Sequence, residues 1–354
     1  MISEEHFMRR CLDLARQGLG NVSPNPMVGA VVVYKDTIIG EGFHQKFGEA
    51  HAEINAINSV LDLSLLKEAT LYVNLEPCAH YGKTPPCAER IIDLGIPEVK
   101  IGCVDTYAEV NGKGISMMRD AGINVSVGIL EKECLALNSP FFTFYAKKRP
   151  YIILKWAETA DGFIAHSNYD SKWISNDYSR QLVHQWRHEV DGILVGSNTL
   201  RYDNPSLTSR IPGGKNPIRI AILKNGDLSP DANFLDGSTE SILFTASTTA
   251  NYPNITCIQL TFDDHLIENI LEELYQRKIQ TLMVEGGSNL LQQFIDKQLW
   301  DEARIFKAPI LFQEGILAPK IILQDPIAQR LADNILQISK RNNQTELRLF
   351  QSID

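Results

Sequence analysis

Residues 51–53 read His-Ala-Glu, and residues 77–87 read Pro-Cys-Ala-His-Tyr-Gly-Lys-Thr-Pro-Pro-Cys. One imidazole, from His51, and two thiols, from Cys78 and Cys87, make three ligands of the kinds that zinc binds. A catalytic zinc ion keeps its fourth position for water and lowers the pKa of that water to about 7, so hydroxide is present at neutral pH. The pattern therefore predicts a catalytic zinc site in the first half of the chain.

Glu53 is the predicted proton carrier of this site. It follows His51 by two residues, roughly 200° around a helix, so we do not expect it to be a fourth ligand on the same face. Hydrolytic deamination needs such a carboxylate, because a proton must pass from water to the ring nitrogen and then to departing ammonia. Taken singly, each cysteine would be predicted to be a core thiol. We predict that role only for the others: Cys11, Cys103, Cys134 and Cys257.

The composition narrows the class of protein. The chain has 354 residues, is 44% hydrophobic and carries a net charge of -9, so it is long enough for two domains. Neither half is basic, which argues against nucleic acid as a partner. No apolar run approaches the ~18 residues of a membrane span, and the start lacks an apolar signal core. We expect a cytoplasmic protein with reduced thiols.

Apolar strands alternate with helical stretches on both sides of a charged segment at residues 146–150. This alternation predicts an α/β fold in two domains, residues 1–148 and 149–354. The predicted strands are residues 28–34, 70–75, 99–104, 151–157, 193–196, 218–223, 241–245 and 281–284. The predicted helices are residues 1–20, 52–61, 87–94, 114–121, 266–277 and 290–299.

The eight residues between Cys78 and Cys87 identify a family, because deaminases of nucleobases usually have two. The run 77–87 resembles the bifunctional RibD family of riboflavin biosynthesis. Residues 23–30, 42–44 and 111–115 resemble it as well. The resemblance implies a cytidine-deaminase-like zinc domain that deaminates a diaminopyrimidinone ribotide. It also implies a second domain that uses NADPH to reduce the ribosyl side chain to ribityl.

The second half lacks the Gly-x-Gly-x-x-Gly turn of an ordinary Rossmann domain. Instead, Gly286 and Gly287 separate a predicted strand from a predicted helix, where glycine backbone and a helix start can bind phosphate. A tight turn would explain this glycine pair equally well. The resemblance extends to about residue 299 through Lys155, residues 161–162, Ser171, residues 173–175, Arg187, residues 193–200 and 203–205, Leu207 and Arg210. They imply a fold similar to dihydrofolate reductase.

The resemblance implies binding roles for individual residues. The residues implied to bind the deaminase substrate are Asn25, His44, Lys83 and Asp105. Those implied to bind the dinucleotide are Glu158, Trp173, Thr199, Asp203, Gly287, Ser288 and Asn289. Those implied to bind the reductase substrate are Lys155, Ser171, Arg187, Leu207, Arg210 and Glu285. Two arginines near one loop suit a phosphorylated substrate, because a guanidinium binds phosphate through two parallel hydrogen bonds. The family also implies a homodimer or homotetramer.

Two alternatives stay open at this stage. One is a nucleobase or nucleoside deaminase, of the tRNA or cytidine type, with an unrelated second domain; the acidic balance and the cysteine spacing count against it. The other is a binding protein with structural zinc, which normally needs four ligands rather than three. The sequence departs from the family pattern at Thr106, Tyr107, Phe163 and Lys224, and residues 325–354 carry no usable motif.

Overall fold

A computed structural model describes residues 2–81, 85–105, 110–171 and 174–341. By its internal contacts the chain divides into two compact units, Met1–Lys148 and Arg149–Asp354. Each unit has its own sheet and its own apolar core. The predicted α/β fold class is confirmed. Among the described residues, no helix combines the length and apolar character needed to cross a membrane.

The first unit is built on a five-stranded sheet. Its strands are β1 (Gly29–Tyr34), β2 (Thr37–Phe43), β3 (Thr70–Leu75), β4 (Glu98–Cys103) and β5 (Asn124–Val127). Its helices are α1 (Glu4–Arg16), α2 (Ala52–Asn58), α3 (Cys87–Asp93), α4 (Lys113–Asp120), α5 (Glu131–Leu137) and α6 (Ser139–Lys147). The strand order is β2-β1-β3-β4-β5; β1 is antiparallel to both neighbours, and β3, β4 and β5 are parallel.

Strand β1 is apolar on both faces because helices cover both sides of the sheet. Val31 belongs to the core cluster that contains Cys11 of α1, whereas Val32 belongs to the cluster that contains Ala56 of α2. Side chains alternate between the faces of a strand, so consecutive valines enter opposite cores. Gly42 of β2 lets α2 lie close, since a Cβ atom there would be 2.4 Å from the Ala56 nitrogen. This packing positions the start of α2, where His51 stands.

The second unit is built on a nine-stranded sheet in the order β11-β10-β9-β8-β12-β6-β13-β16-β15. These strands are β6 (Tyr151–Thr159), β8 (Gly192–Val195), β9 (Ile218–Ile222), β10 (Ser241–Thr245), β11 (Ile255–Gln259), β12 (Thr281–Gly286), β13 (Glu302–Ala308), β15 (Ile327–Leu331) and β16 (Asn334–Lys340). The short strands β7 (Phe163–Ala165) and β14 (Ile316–Leu317) pair with each other. The helices are α7 (Asp177–Glu189), α8 (Leu266–Gln276) and α9 (Ser288–Asp296).

Within this sheet all pairs from β11 to β13 are parallel, while the β13–β16 and β16–β15 pairs are antiparallel. Parallel strands carry their carboxyl ends to one edge of the sheet, where ligands of open α/β sheets bind. The predicted site residues near the ends of β6, β8 and β12 therefore meet at that edge.

Candidate active sites

The predicted zinc ligands lie together in the first unit. His51 immediately precedes α2, Cys78 follows β3, and Cys87 is the first residue of α3. The Nδ1 atom of His51 lies 3.6 Å from Sγ of Cys78 and 3.4 Å from Sγ of Cys87. All three ligand atoms are within 4.8 Å of one another. Zinc bonds to sulfur and nitrogen are about 2.0–2.3 Å long, so one ion fits among these atoms.

The charges of the three side chains suit a metal. A hydrogen bond with Cys87 is the main cause that lowers the pKa of Cys78 to about 4, and the hydrogen bond with Cys78 raises the pKa of His51 to about 9. The pKa of Cys87 is raised by the same bond with Cys78. Zinc binds thiolate rather than thiol, so the lowered pKa of Cys78 suits a zinc ligand.

Glu53 lies in the first turn of α2 and is 3% exposed. Burial raises the pKa of its carboxyl group, which also interacts with the side chain of Cys87. A raised pKa makes the carboxylate a better proton acceptor, which suits a group that must take up and return a proton. The structure therefore brings the predicted proton carrier next to the predicted ligands.

His44 and Asn25 lie beside this cluster. The rings of His44 and His51 are 5.5 Å apart between centroids. The Nδ1 atom of His44 is 3.1 Å from the carbonyl oxygen of Ala50, which can only accept, so we assign the ring proton to Nδ1. Nε2 then accepts from the amide of Asn25 at 3.1 Å. Burial lowers the pKa of His44, which favours the neutral ring.

Asp105 is 6% exposed and follows β4. Its backbone N–H donates to the carboxylate of Glu76, 3.2 Å away. Sequence reasoning missed Glu76, although it stands between β3 and the ligand Cys78. Lys83 lies outside the described residues, so its predicted role stays a prediction.

The second unit contains a cavity of about 1430 Å³ at the carboxyl ends of β6, β8, β9 and β12. Most of the residues predicted for the reductase line it. They are Lys155, Ser171, Arg187, Thr199, Asp203, Leu207, Arg210, Glu285, Gly287, Ser288 and Asn289. A volume of this size accommodates a ligand larger than an ordinary small molecule.

A buried charge cluster forms one wall of this cavity. Arg187 donates from Nε and Nη2 to Glu285, at 2.8 Å each, and Lys155 Nζ lies 3.6 Å from the same carboxylate. Burial alone would raise the pKa of Glu285, but the charges of Arg187 and Lys155 outweigh it and hold the value at about 2. Burial lowers the pKa of Lys155, and the attraction of Glu285 opposes that shift. Glu285 is therefore ionised throughout the physiological range.

Arg187 is largely committed to the protein itself. Besides the two bonds to Glu285, its Nη1 donates to the carbonyl oxygen of Thr208 at 3.3 Å. A guanidinium bound in this way cannot also present its fork to a phosphate without breaking the pair. Arg210, which is exposed at the cavity, is the better placed of the two arginines for that contact.

The predicted dinucleotide residues form two linked loops. Thr199 Oγ1 accepts from the backbone N–H of Gly287 at 3.0 Å, and Ser288 Oγ donates to the carbonyl oxygen of Leu317 at 2.7 Å. Ser171 Oγ donates to Asp203 Oδ1 at 3.2 Å, so a predicted substrate residue contacts a predicted cofactor residue. Leu207 is 1% exposed and adopts a positive φ of 54°.

One predicted cofactor residue among the described part of the chain, Glu158, does not line the cavity. Its carboxylate accepts from Trp156 Nε1 at 2.8 Å and pairs with Lys307 at 3.1 Å. These contacts give Glu158 a role within the sheet. Trp173 lies outside the described residues.

Known proteins resemble both units. Residues 1–103 match the cytidine and deoxycytidylate deaminase zinc-binding region, and residues 150–337 match the RibD C-terminal domain. The chain is 42% identical to the riboflavin biosynthesis protein RibD of Bacillus amyloliquefaciens over 328 residues, which cover 90% of this chain and 88% of that protein. It is 39% identical to RibD of Aquifex aeolicus, with 88% and 89% covered.

Solved structures agree over both units. A diaminohydroxyphosphoribosylaminopyrimidine deaminase/5-amino-6-(5-phosphoribosylamino)uracil reductase from Thermotoga maritima superimposes with a TM-score of 0.87 at 39% identity, covering 95% of this chain and 98% of that one. RibD of Acinetobacter baumannii superimposes with a TM-score of 0.86 at 30% identity, with the same shares covered.

Proposed function

Because the chain belongs to the RibD family of riboflavin biosynthesis, we propose that residues 1–148 deaminate a diaminopyrimidinone ribotide and that residues 149–354 reduce the product with NADPH. Membership makes the chain a bifunctional enzyme, a hydrolase and an oxidoreductase, with a zinc-binding deaminase domain and a nucleotide-dependent reductase domain.

In the deaminase, His51, Cys78 and Cys87 would hold the zinc ion, which supplies a water of lowered pKa when bound. Glu53 takes up a proton as water attacks the amino-bearing ring carbon. It delivers this proton to the ring nitrogen. It then takes the second proton of the former water from the new hydroxyl group and passes it to the amine, which leaves as ammonia as the carbon–oxygen double bond forms. Asn25, neutral His44 and Asp105, together with Lys83, orient the pyrimidine ribotide. Water is consumed, one ammonia is released, and Glu53 ends in its starting state.

In the reductase, we assign the dinucleotide to the loops of Thr199, Asp203 and residues 287–289, where the start of α9 offers backbone N–H groups to phosphate. We assign Trp173 to the dinucleotide as well. Glu158 does not line the cavity, so it would support dinucleotide binding only indirectly, as a residue of β6. Lys155, Ser171, Leu207 and Glu285 surround the ribosyl carbon, and Arg210 binds the ribotide phosphate. Reduction adds a hydride from NADPH and one proton, so the ribosyl unit becomes ribityl.

The observation that carries the deaminase assignment is the set of three ligand atoms within 4.8 Å next to buried Glu53. The test follows ammonia release and NADPH oxidation together in the purified enzyme. With the diaminopyrimidinone ribotide, ammonia should appear first, and a zinc chelator should stop both signals. With the already deaminated ribotide, NADPH oxidation should continue despite the chelator. Ammonia release without any loss of NADPH would refute the reductase assignment. The absence of both signals would refute both assignments.

We also propose that the enzyme works in the cytoplasm as a homodimer or homotetramer. The support is the family relation, since RibD relatives cover nearly the whole chain. Light scattering on the purified protein at several concentrations would test the assembly, and a stable mass of about 39.7 kDa would contradict it.

A further inference from the structure

Glu76 is a buried carboxylate that the reaction scheme does not use. It is 4% exposed and lies two residues before the ligand Cys78, directly after β3. Its own backbone N–H donates to the carbonyl oxygen of Cys103 at the end of β4, at 3.0 Å. The backbone of Glu76 therefore ties the strand that leads to Cys78 to the strand that leads to Asp105.

The side chain of Glu76 accepts four backbone N–H bonds. Oε1 accepts from Gly114 at 3.0 Å and from Ile115 at 3.3 Å. Oε2 accepts from Gly112 at 3.0 Å and from Asp105 at 3.2 Å. Two of the four donors stand in the first turn of α4, at Gly114 and Ile115. A single side chain thus binds both ends of the connection between β4 and α4, of which residues 106–109 lie outside the described part of the chain.

The start of α4 also lies in direct contact with the segment that carries Glu76. A Cβ atom on Gly114 would be 2.1 Å from the carbonyl oxygen of Pro77 and 3.3 Å from Oε1 of Glu76, so only glycine permits this approach. Gly114 is the second glycine of the Asn-Gly-Lys-Gly sequence at residues 111–114, and this close approach explains why glycine stands there. The contact places the start of α4 against Pro77, next to the ligand Cys78.

We propose that Glu76 is a positioning residue of the deaminase, which holds Asp105 and the start of α4 in register with the zinc ligands so that the ribotide meets a preformed site. The inference rests on the proposed contact of Asp105 with the substrate. A carboxylate suits this task because its two oxygens offer about four acceptor positions. An amide offers one acceptor oxygen, and its NH2 group would face two backbone donors.

The test compares Glu76→Gln with Glu98→Gln in the full-length enzyme. Glu98 is a matched control, because this carboxylate of the same unit also accepts hydrogen bonds, from Thr70 and Asn124, but stands at the opposite end of β4. We expect Glu76→Gln to raise the KM of the ribotide for ammonia release about tenfold or more, with kcat within about threefold of the wild-type value. Zinc should stay at one ion per chain, and NADPH oxidation with the already deaminated ribotide should be unchanged. Glu98→Gln should leave KM unchanged.

A second comparison shows whether Glu76 acts through Asp105. Groups that act as one unit are not additive, so the double variant of Glu76→Gln and Asp105→Ala should have no higher KM than Asp105→Ala alone. If Glu76→Gln does not fold, Glu76→Asp keeps both oxygens but withdraws them by one methylene, and a KM rise of about threefold is expected.

A wild-type KM in Glu76→Gln, or in Glu76→Asp if only that variant folds, would overturn the inference. Loss of zinc with an unchanged KM for the zinc-loaded fraction would overturn it too, because Glu76 would then support the ligand turn alone. Absence of ammonia release in the wild-type enzyme would instead refute the proposed function.

Discussion

The zinc cluster and the reductase cavity are assembled in different ways. The deaminase brings three ligand atoms within 4.8 Å from the starts of two helices and the end of one strand, all inside residues 51–87. The cavity of about 1430 Å³ gathers side chains from residues 155 to 317. A metal ion needs a few ligands at fixed distances, whereas a dinucleotide and a ribotide need a wide surface. Single substitutions should therefore be all-or-none in the first site and graded in the second.

The largest effect is expected at Cys87. Replacing this ligand by serine in Cys87→Ser removes one of three thiolate or imidazole donors, so we expect loss of zinc and a fall in ammonia release of at least about 1000-fold. NADPH oxidation with the deaminated ribotide should stay within about twofold. Metal analysis and both activity assays measure this.

The matched control is Cys257→Ser, the same change at a half-buried thiol in β11 of the second unit. It should keep full zinc and both activities. Retention of zinc and of ammonia release in Cys87→Ser would contradict the assignment of the cluster as the metal site.

The next largest effect is expected at Glu285, which is the counter-charge of Arg187 and Lys155. In Glu285→Gln two buried cations face each other without a carboxylate, a change that costs about 3–5 kcal/mol when a buried pair is broken. We expect NADPH oxidation to fall about 100-fold while ammonia release is unchanged. Glu302→Gln is the control, because Glu302 is buried and pairs with Arg304 at 2.6 Å but does not line the cavity. Equal losses in both variants would mean that stability rather than the site was lost.

The same carboxylate predicts how stability depends on pH. Its pKa is about 2 in the folded chain, against about 4.3 for an ordinary glutamate. Because the folded value is the lower one, the stabilisation is complete above about pH 4.3 and is lost as the pH falls towards 2. It amounts to about 3 kcal/mol. All four tryptophans belong to the second unit, so their fluorescence reports its unfolding. In Glu285→Gln the free energy of unfolding should depend less on pH in this range. An unchanged pH dependence would show that ionisation of Glu285 is not its cause.

A smaller effect is expected at Arg210. If this exposed arginine binds the ribotide phosphate, Arg210→Ala should raise the KM for the ribotide in NADPH oxidation about 30-fold, the value of a charge-assisted hydrogen bond of about 2 kcal/mol. The KM for NADPH should not change. Arg201→Ala is the control, since Arg201 is also exposed but does not line the cavity. A ribotide KM that rises equally in both variants would indicate long-range attraction rather than a contact.

The contrast between the sites also explains what the sequence could predict. Strand β3 was predicted to the residue, and the zinc ligands were predicted because their types and spacing are visible along the chain. Helix α7 was not predicted, because His184 and Arg187 direct polar side chains to the cavity. These polar residues interrupt the helical repeat of apolar residues in the sequence. Strand β15 is exposed along most of its length at the edge of the sheet, so it lacks an alternating pattern.

The role of Glu76 had no signal at all. It accepts from backbone N–H groups, which every residue other than proline carries, so no partner residue marks it in the sequence. The commitment of Arg187 to Glu285 was invisible for a related reason: the two residues are 98 positions apart, and only the parallel sheet brings them together.

The smallest effect is expected at Thr199, whose hydroxyl accepts the backbone N–H of Gly287 at 3.0 Å and so joins the two loops proposed to hold the dinucleotide. Thr199→Val keeps the shape of the side chain but leaves that N–H unpaired, at a cost of about 1 kcal/mol. We expect the KM for NADPH to rise about fivefold, with the ribotide KM unchanged. Thr199→Ser retains the hydroxyl and should keep the wild-type value. If serine and valine raised the KM equally, the methyl contact rather than the hydrogen bond would hold the loops, and the graded character of this site would come from packing.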